Sequence, residues 1–162
     1  MSGEAGPASR ETILCAVDFS GDSAAALGWA CRQAALTDAR LVLLHVVHDP
    51  ASSPGFYRRV GSEWLEPMVA VAEDMMAEFL AAFRAGAENL PALPALETRL
   101  VRGLPPGRIV EVARELGADL VVVGSRGRTG LPHILLGSVA ERVVQTAPVP
   151  VTVVKRRDAA PE

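Results

Sequence analysis

VVVGSRGRTG, residues Val121–Gly130, is a β-branched run that stops in three glycines and two arginines. Preceded by Ala118–Leu120, it offers no polar residue to either face of a sheet beyond Asp119, so it reads as a central strand covered on both sides. A strand buried on both faces needs helices above and below it, and this requirement directs the reading of the rest of the chain.

Working outward, Ile13–Phe19 (ILCAVDF) and Arg40–Val47 (RLVLLHVV) are further apolar runs of the same kind. Ala95–Val101 (ALETRLV) alternates Leu96, Thr98 and Leu100 with Glu97 and Arg99, the pattern of an edge strand. Val149–Lys155 (VPVTVVK) carries Pro150, which has no N–H for a ladder and so belongs at a strand start or sheet margin. Helical patterns fill the intervals. They cover Asp22–Asp38, Pro67–Gly86, Pro106–Leu116 and Ser138–Thr146. In the second, Met68, Ala72, Met75, Met76, Phe79, Leu80 and Phe83 form one apolar stripe. The third opens on proline and stops at Gly117. The fourth begins S-V-A-E, the spacing of a capping box between Ser138 and Glu141. The order βαβαβαβαβ predicts a single doubly wound α/β domain over residues 11–156, with short tails at 1–10 and 157–162. Its sheet has five parallel strands in the order 3-2-1-4-5 and helices on both faces.

Composition agrees with that class. The chain has 162 residues, 49% of them hydrophobic but only 4% aromatic, so its core is aliphatic. The mean hydropathy is +0.24, yet no apolar run reaches the roughly 20 residues of a bilayer span. No secretory signal is visible, and the expected compartment is the cytoplasm. A net charge of −3 argues against broad nucleic-acid binding, which requires a basic face. Cys15 and Cys31 lack metal-site or redox spacing and read as buried free thiols. His45 reads as a satisfied, half-buried core residue, His133 as a surface one, and His45 with His48 makes no metal spacing; no metal site built from protein ligands is expected. The segment 48–66, with Phe56, Tyr57 and Trp64, reads equally as a flap, a subunit contact or an unordered excursion.

In a doubly wound sheet, ligands sit beyond the carboxyl ends of the strands where the order reverses. Order 3-2-1-4-5 puts that point between strands one and four. Strand one ends in V-D-F-S, placing Asp18 there, and a carboxylate at that tip is costly to bury unpaired. Strand four ends in Gly124, Gly127 and Gly130, whose missing side chains and tolerance of positive φ expose main-chain amides. Gly137 and Ser138 then open a helix whose free N–H groups favour an anion. Arg126 and Arg128 are candidate phosphate contacts.

The spacing Gly124, two residues, Gly127, nine residues, Gly137-Ser138 resembles the nucleotide-binding signature of the universal stress protein family. The similarity extends to LLHVV (43–47), ADLVVVGSRG (118–127), LLGSVAERVV (135–144) and APVPVTVVK (147–155). The resemblance implies a subgroup that binds ATP, or AMP or ADP, with or without Mg2+. It places Asp18 near the ribose and a metal, the backbone around Val46 against adenine, and Val123, Gly124, Gly127, Gly137, Ser138 and Val139 around ribose and phosphates. It further implies a homodimer through Val149–Lys155. The expected role is a stress-response sensor rather than an enzyme. A slow ATPase and a nucleotide-independent dimeric module are the alternatives, the former weakened by the absence of a Walker lysine motif and of an evident catalytic base.

Overall fold

The computed structural model describes residues 10–49, 65–87, 90, 96–127 and 136–157. Residues 1–9 and 158–162 of the two tails, the aromatic residues Phe56, Tyr57 and Trp64, and the stretch holding Arg128, Gly130 and His133 lie outside the described residues.

Among the described residues nine elements alternate: β1 (Thr12–Ala16), α1 (Gly21–Thr37), β2 (Arg40–His48), α2 (Leu65–Ala85), β3 (Leu96–Gly103), α3 (Pro105–Leu116), β4 (Leu120–Gly124), α4 (Ser138–Thr146) and β5 (Val151–Val154). The strands form one sheet in the order β3-β2-β1-β4-β5, parallel throughout. Both the order and the class are those expected from the alternation of apolar runs and helical stripes.

The period-two alternation of side chains divides the core between the faces. Ile13, Cys15 and Val17 pack with Leu41, Leu43 and Val122 beneath α1 and α2, against Leu27, Ala30, Cys31, Met76 and Leu80. Leu14 and Ala16 point the other way, joining Val42, Leu44, Val121 and Val123 beneath α3 and α4, against Ile109, Val112, Ala140 and Val143. The interior is aliphatic, as the composition requires. Both cysteines are buried and free.

Strand ends differ from the sequence reading, and each difference has a local cause. β1 stops at Ala16 rather than Phe19. Val17 N–H still reaches Leu44 O at 2.8 Å, but Asp18 N–H turns to the Ser23 hydroxyl and Phe19 sits at φ 66°, which rotates the chain out of the sheet. β4 begins at Leu120 because Ala118 N–H closes α3 onto Ala113 O. β5 is four residues long and begins just after Pro150, whose carbonyl accepts from Val121 N–H at 3.0 Å. The α2 stripe holds from Ala72 onward, whereas Met68 is 40% exposed.

The capping box expected at α4 does not form. Gly137, not Ser138, is the N-cap, and no side chain caps the helix. Gly137 N–H donates to Ser125 O at 2.6 Å, and Glu141 N–H takes Gly137 O. This tie to the β4 loop starts the helix one residue earlier than a Ser138 cap would require, leaving Ser138 inside the first turn.

The edge strand β3 is guarded by charge. Glu97 accepts from Arg40 on β2 and from Arg99 on its own strand. Those two guanidinium groups hold its carboxyl below the ordinary carboxylate range. Charged side chains on an edge discourage pairing with a second sheet.

Candidate functional site

Beyond the carboxyl ends of β1, β2 and β4 lies a cleft of about 300 Å³. Its floor is made of strand-end residues Val17, Leu44, Val46 and Val123. One wall is Pro105 and Ile109 of α3. The opposite rim is the Gly124–Gly127 loop with the start of α4, Gly137–Ala140. Every candidate named from sequence that falls among the described residues lines it: Asp18, Val46, Val123, Gly124, Arg126, Gly127, Gly137, Ser138 and Val139. Arg128 lies outside the described residues.

Asp18 is held by its own turn. Its Oδ1 accepts from the Ser23 hydroxyl at 2.6 Å and from Ser20 N–H at 3.0 Å. The Ser23 hydroxyl in turn accepts from Asp18 N–H at 2.9 Å. Ser20 is the N-cap of α1, accepting from Ser23 N–H. The Ser20–Ser23 stretch is therefore a helix cap and a clasp on Asp18. One carboxylate oxygen faces this clasp, and Oδ2 faces Gly127: a Cβ on Gly127 would stand 3.0 Å from it.

The loop glycines are required by crowding rather than by backbone strain. Among the described residues only Gly103 and Gly117 are glycines at positive φ, so the expectation that Gly124 and Gly127 exploit positive φ is corrected. At Gly124 a Cβ would lie 2.9 Å from the Asp22 carbonyl carbon. At Gly137 it would lie 3.3 Å from Ser125 O. Side chains at these positions would push apart β4, α1 and α4, the three elements whose ends frame the cleft.

Sequence reading missed the residue that ties the rim together. Asp22 is 6% exposed. Its Oδ2 accepts from the Ser125 hydroxyl at 2.9 Å, from Arg126 N–H at 3.1 Å and from Arg126 Nε at 3.4 Å. An acidic residue in the first turn of a helix reads as an ordinary dipole partner, and only the fold brings it to the β4 loop. Arg126 is accordingly anchored by Asp22 at the cleft's edge.

His45 closes one end of the floor. Its Nδ1 donates to Val17 O at 2.8 Å, which fixes the ring, and Phe19 stacks on it with centroids 4.2 Å apart. The half-buried, satisfied histidine expected from sequence is what the fold contains. Among the described residues no group of three His, Cys, Asp or Glu side chains is arranged to hold a metal ion, and no helix is long and apolar enough to cross a membrane.

A parallel sheet wound 3-2-1-4-5, with a glycine-rimmed cleft at its switch point, defines the class as a doubly wound α/β domain. Residues 9–155 match the model of the universal stress protein family, and the chain belongs to that family. A universal stress protein of Mycolicibacterium smegmatis is 36% identical over 149 residues, 92% of this chain and 47% of the relative; the chain thus spans about half the length of that relative. The universal stress protein UspA of Lactobacillus plantarum superposes with a TM-score of 0.72 at 30% identity, covering 91% of this chain and 99% of that one. A universal stress protein crystallised in complex with cAMP superposes with a TM-score of 0.63 at 26% identity, covering 90% and 97%.

Proposed function

We propose that the chain is a nucleotide-binding sensor that takes an adenine nucleotide, ATP foremost, in the cleft at the β1–β4 switch point. The observation that carries this reading is convergence: Asp18 from β1, Gly127 from the β4 loop and Gly137-Ser138 at the start of α4 reach one cavity from three separate segments. The apolar floor around Val46 and Val123 suits a base, and Asp18 suits a ribose hydroxyl or a Mg2+ ion brought by the phosphates. The first turn of α4, from Ser138 to Ala140, suits phosphate through its main-chain N–H groups, and the close-packed glycine rim lets the phosphate approach. The cAMP complex of a family member at 26% identity adds support for a nucleotide in this fold.

Binding that changes the rim would be read by partners. Among the described residues β5 pairs on one side only, with β4, and two copies joined antiparallel through Val151–Val154 would cover both edges. No turnover of the nucleotide is part of this reading.

Thermal melting tests the central claim. ATP at about a hundred times its Kd stabilises a specific binder by about 2.7 kcal/mol. Gly127→Val, which fills the space beside Asp18, removes that shift. An equal shift in wild type and variant, or none in wild type, overturns the reading. Parallel titrations with AMP and cyclic AMP rank the ligands. ADP formed in excess of protein would show an enzyme instead. Sedimentation of wild type against Val153→Glu tests the dimer, which predicts that only the variant is monomeric.

A further inference from the structure

On the α1 side of the sheet, away from the nucleotide cleft, a second groove runs between α1 and the end of β5. Ala25, Trp29 and Arg32 line one side, and Val154, Lys155 and Arg157 the other. The three helix residues recur at i, i+4 and i+7, so they share one face of α1. Trp29 is half-buried, with part of its ring against the core, while Arg32, Lys155 and Arg157 are exposed. Arg156 extends the positive field: its guanidinium lies over Gly21, where a Cβ would come within 2.6 Å of Nη1. A cation at the start of a helix adds to the dipole's positive end instead of neutralising it.

None of these four cations makes an ion pair among the described residues, whereas Arg10, Arg40, Arg99, Arg108 and Arg126 all do. In a chain of net charge −3, this corner concentrates positive charge around an aromatic ring. We propose that the groove docks an acidic peptide segment of a partner protein, its carboxylates on Arg32, Lys155 and Arg157 and an aliphatic side chain on Trp29. Charge selects an acidic occupant, and the surroundings select a short one. The positive patch is confined to this corner of a chain whose net charge is −3, and that overall charge repels a polyanion long enough to run past the groove, as a nucleic acid would. The inference does not depend on nucleotide binding, since the residues of this groove do not line the cleft.

Lys155 is the only lysine of the chain, which makes the site chemically addressable. The probe is a short N-acetylated, fluorescent peptide alternating glutamate and leucine, added to the full chain and followed by anisotropy. Expected results are saturable binding that weakens with salt, loss of affinity by at least about tenfold in Arg32→Glu/Arg157→Glu, and carbodiimide coupling of a peptide carboxylate to Lys155 in wild type. Three results overturn the proposal: unchanged affinity in a double variant that melts like wild type, no coupling at Lys155, or equal competition by an oligonucleotide or anionic vesicles. Self-association abolished by the double variant without peptide binding would assign the groove to a second copy and also overturn it. Should the double variant fail to fold, the wild-type coupling site and the competition series decide.

Discussion

The side chain that Gly124 lacks would begin 2.9 Å from the carbonyl carbon of Asp22 and 3.0 Å from its Cβ. β4 and α1 therefore meet with no room for a methyl group, and the contact is to backbone, which cannot swing aside. Gly124→Ala is expected to cost about 1–3 kcal/mol. Gly107 offers the internal control: it lies in the first turn of α3 and a Cβ there meets nothing within 4 Å. Gly107→Ala is expected to stabilise by up to about 1 kcal/mol through helix propensity. Urea unfolding of both variants checks the pair, and a similar sign for the two would refute the packing argument.

Asp22 gathers three donors on one oxygen, and all three, the Ser125 hydroxyl, Arg126 N–H and Arg126 Nε, belong to the loop that rims the cleft. Removing a buried acceptor leaves its donors unsatisfied, which costs more than the net value of the bonds. Asp22→Ala is expected to lose about 2–4 kcal/mol. Asp22→Asn, which keeps one carbonyl oxygen, is expected to lose less than half of that. Equal losses in denaturant titrations would mean that side-chain volume, rather than the acceptor, matters there.

This network shows where sequence reading reaches its limit. Strand order was legible because β1, β2 and β4 are nearly continuous apolar runs that only a doubly covered sheet can bury. Glu97 and Arg99 marked β3 as an edge, and Pro150 marked the margin at β5. The cleft was legible because strand-end residues and glycine spacing are local features. Asp22 and Ser125 are 103 positions apart, and nothing in either neighbourhood announces the bond. The capping box at Ser138 and Glu141 failed for the same reason, since a tertiary bond from Gly137 to Ser125 overrode a local motif. Phe19 gave no warning that it would take a left-handed turn and end β1 early.

The cysteines bear on alkaline stability. Burial pushes the Cys31 thiol from 9.0 up to about 11, with Arg32 acting weakly in the other direction. Burial, assisted by Cys31, raises Cys15 further still. Both folded-state values exceed the unfolded one, so the contribution is fully present below pH 9.0 and is lost as pH rises from there through about 11. Stability in urea is therefore expected to fall more steeply above pH 9.0 in wild type than in Cys15→Ala/Cys31→Ala. Native protein should also resist iodoacetamide at about pH 8, because thiolate is the reactive form, while unfolded protein labels at both positions. Rapid native labelling would contradict the burial of these thiols.

Phe19 reverses the usual ranking of alanine and glycine. Its φ of 66° is a conformation that costs a residue with a Cβ roughly 1–2 kcal/mol. The ring offsets this by stacking on His45 at 4.2 Å and meeting Phe79 at 5.6 Å. Phe19→Ala removes the ring contacts and keeps the strain, whereas Phe19→Gly removes both. Glycine is therefore expected to be more stable than alanine at this position by about 1 kcal/mol, opposite to the order found inside a helix. Both variants are expected to fall below wild type, because each uncovers the His45 ring and loses the packing against α2. Thermal or urea unfolding of the three proteins decides the matter: alanine equal to or above glycine would show that the turn after Asp18 relaxes once the ring is gone, and that the stack on His45, not the chain path, sets the backbone there.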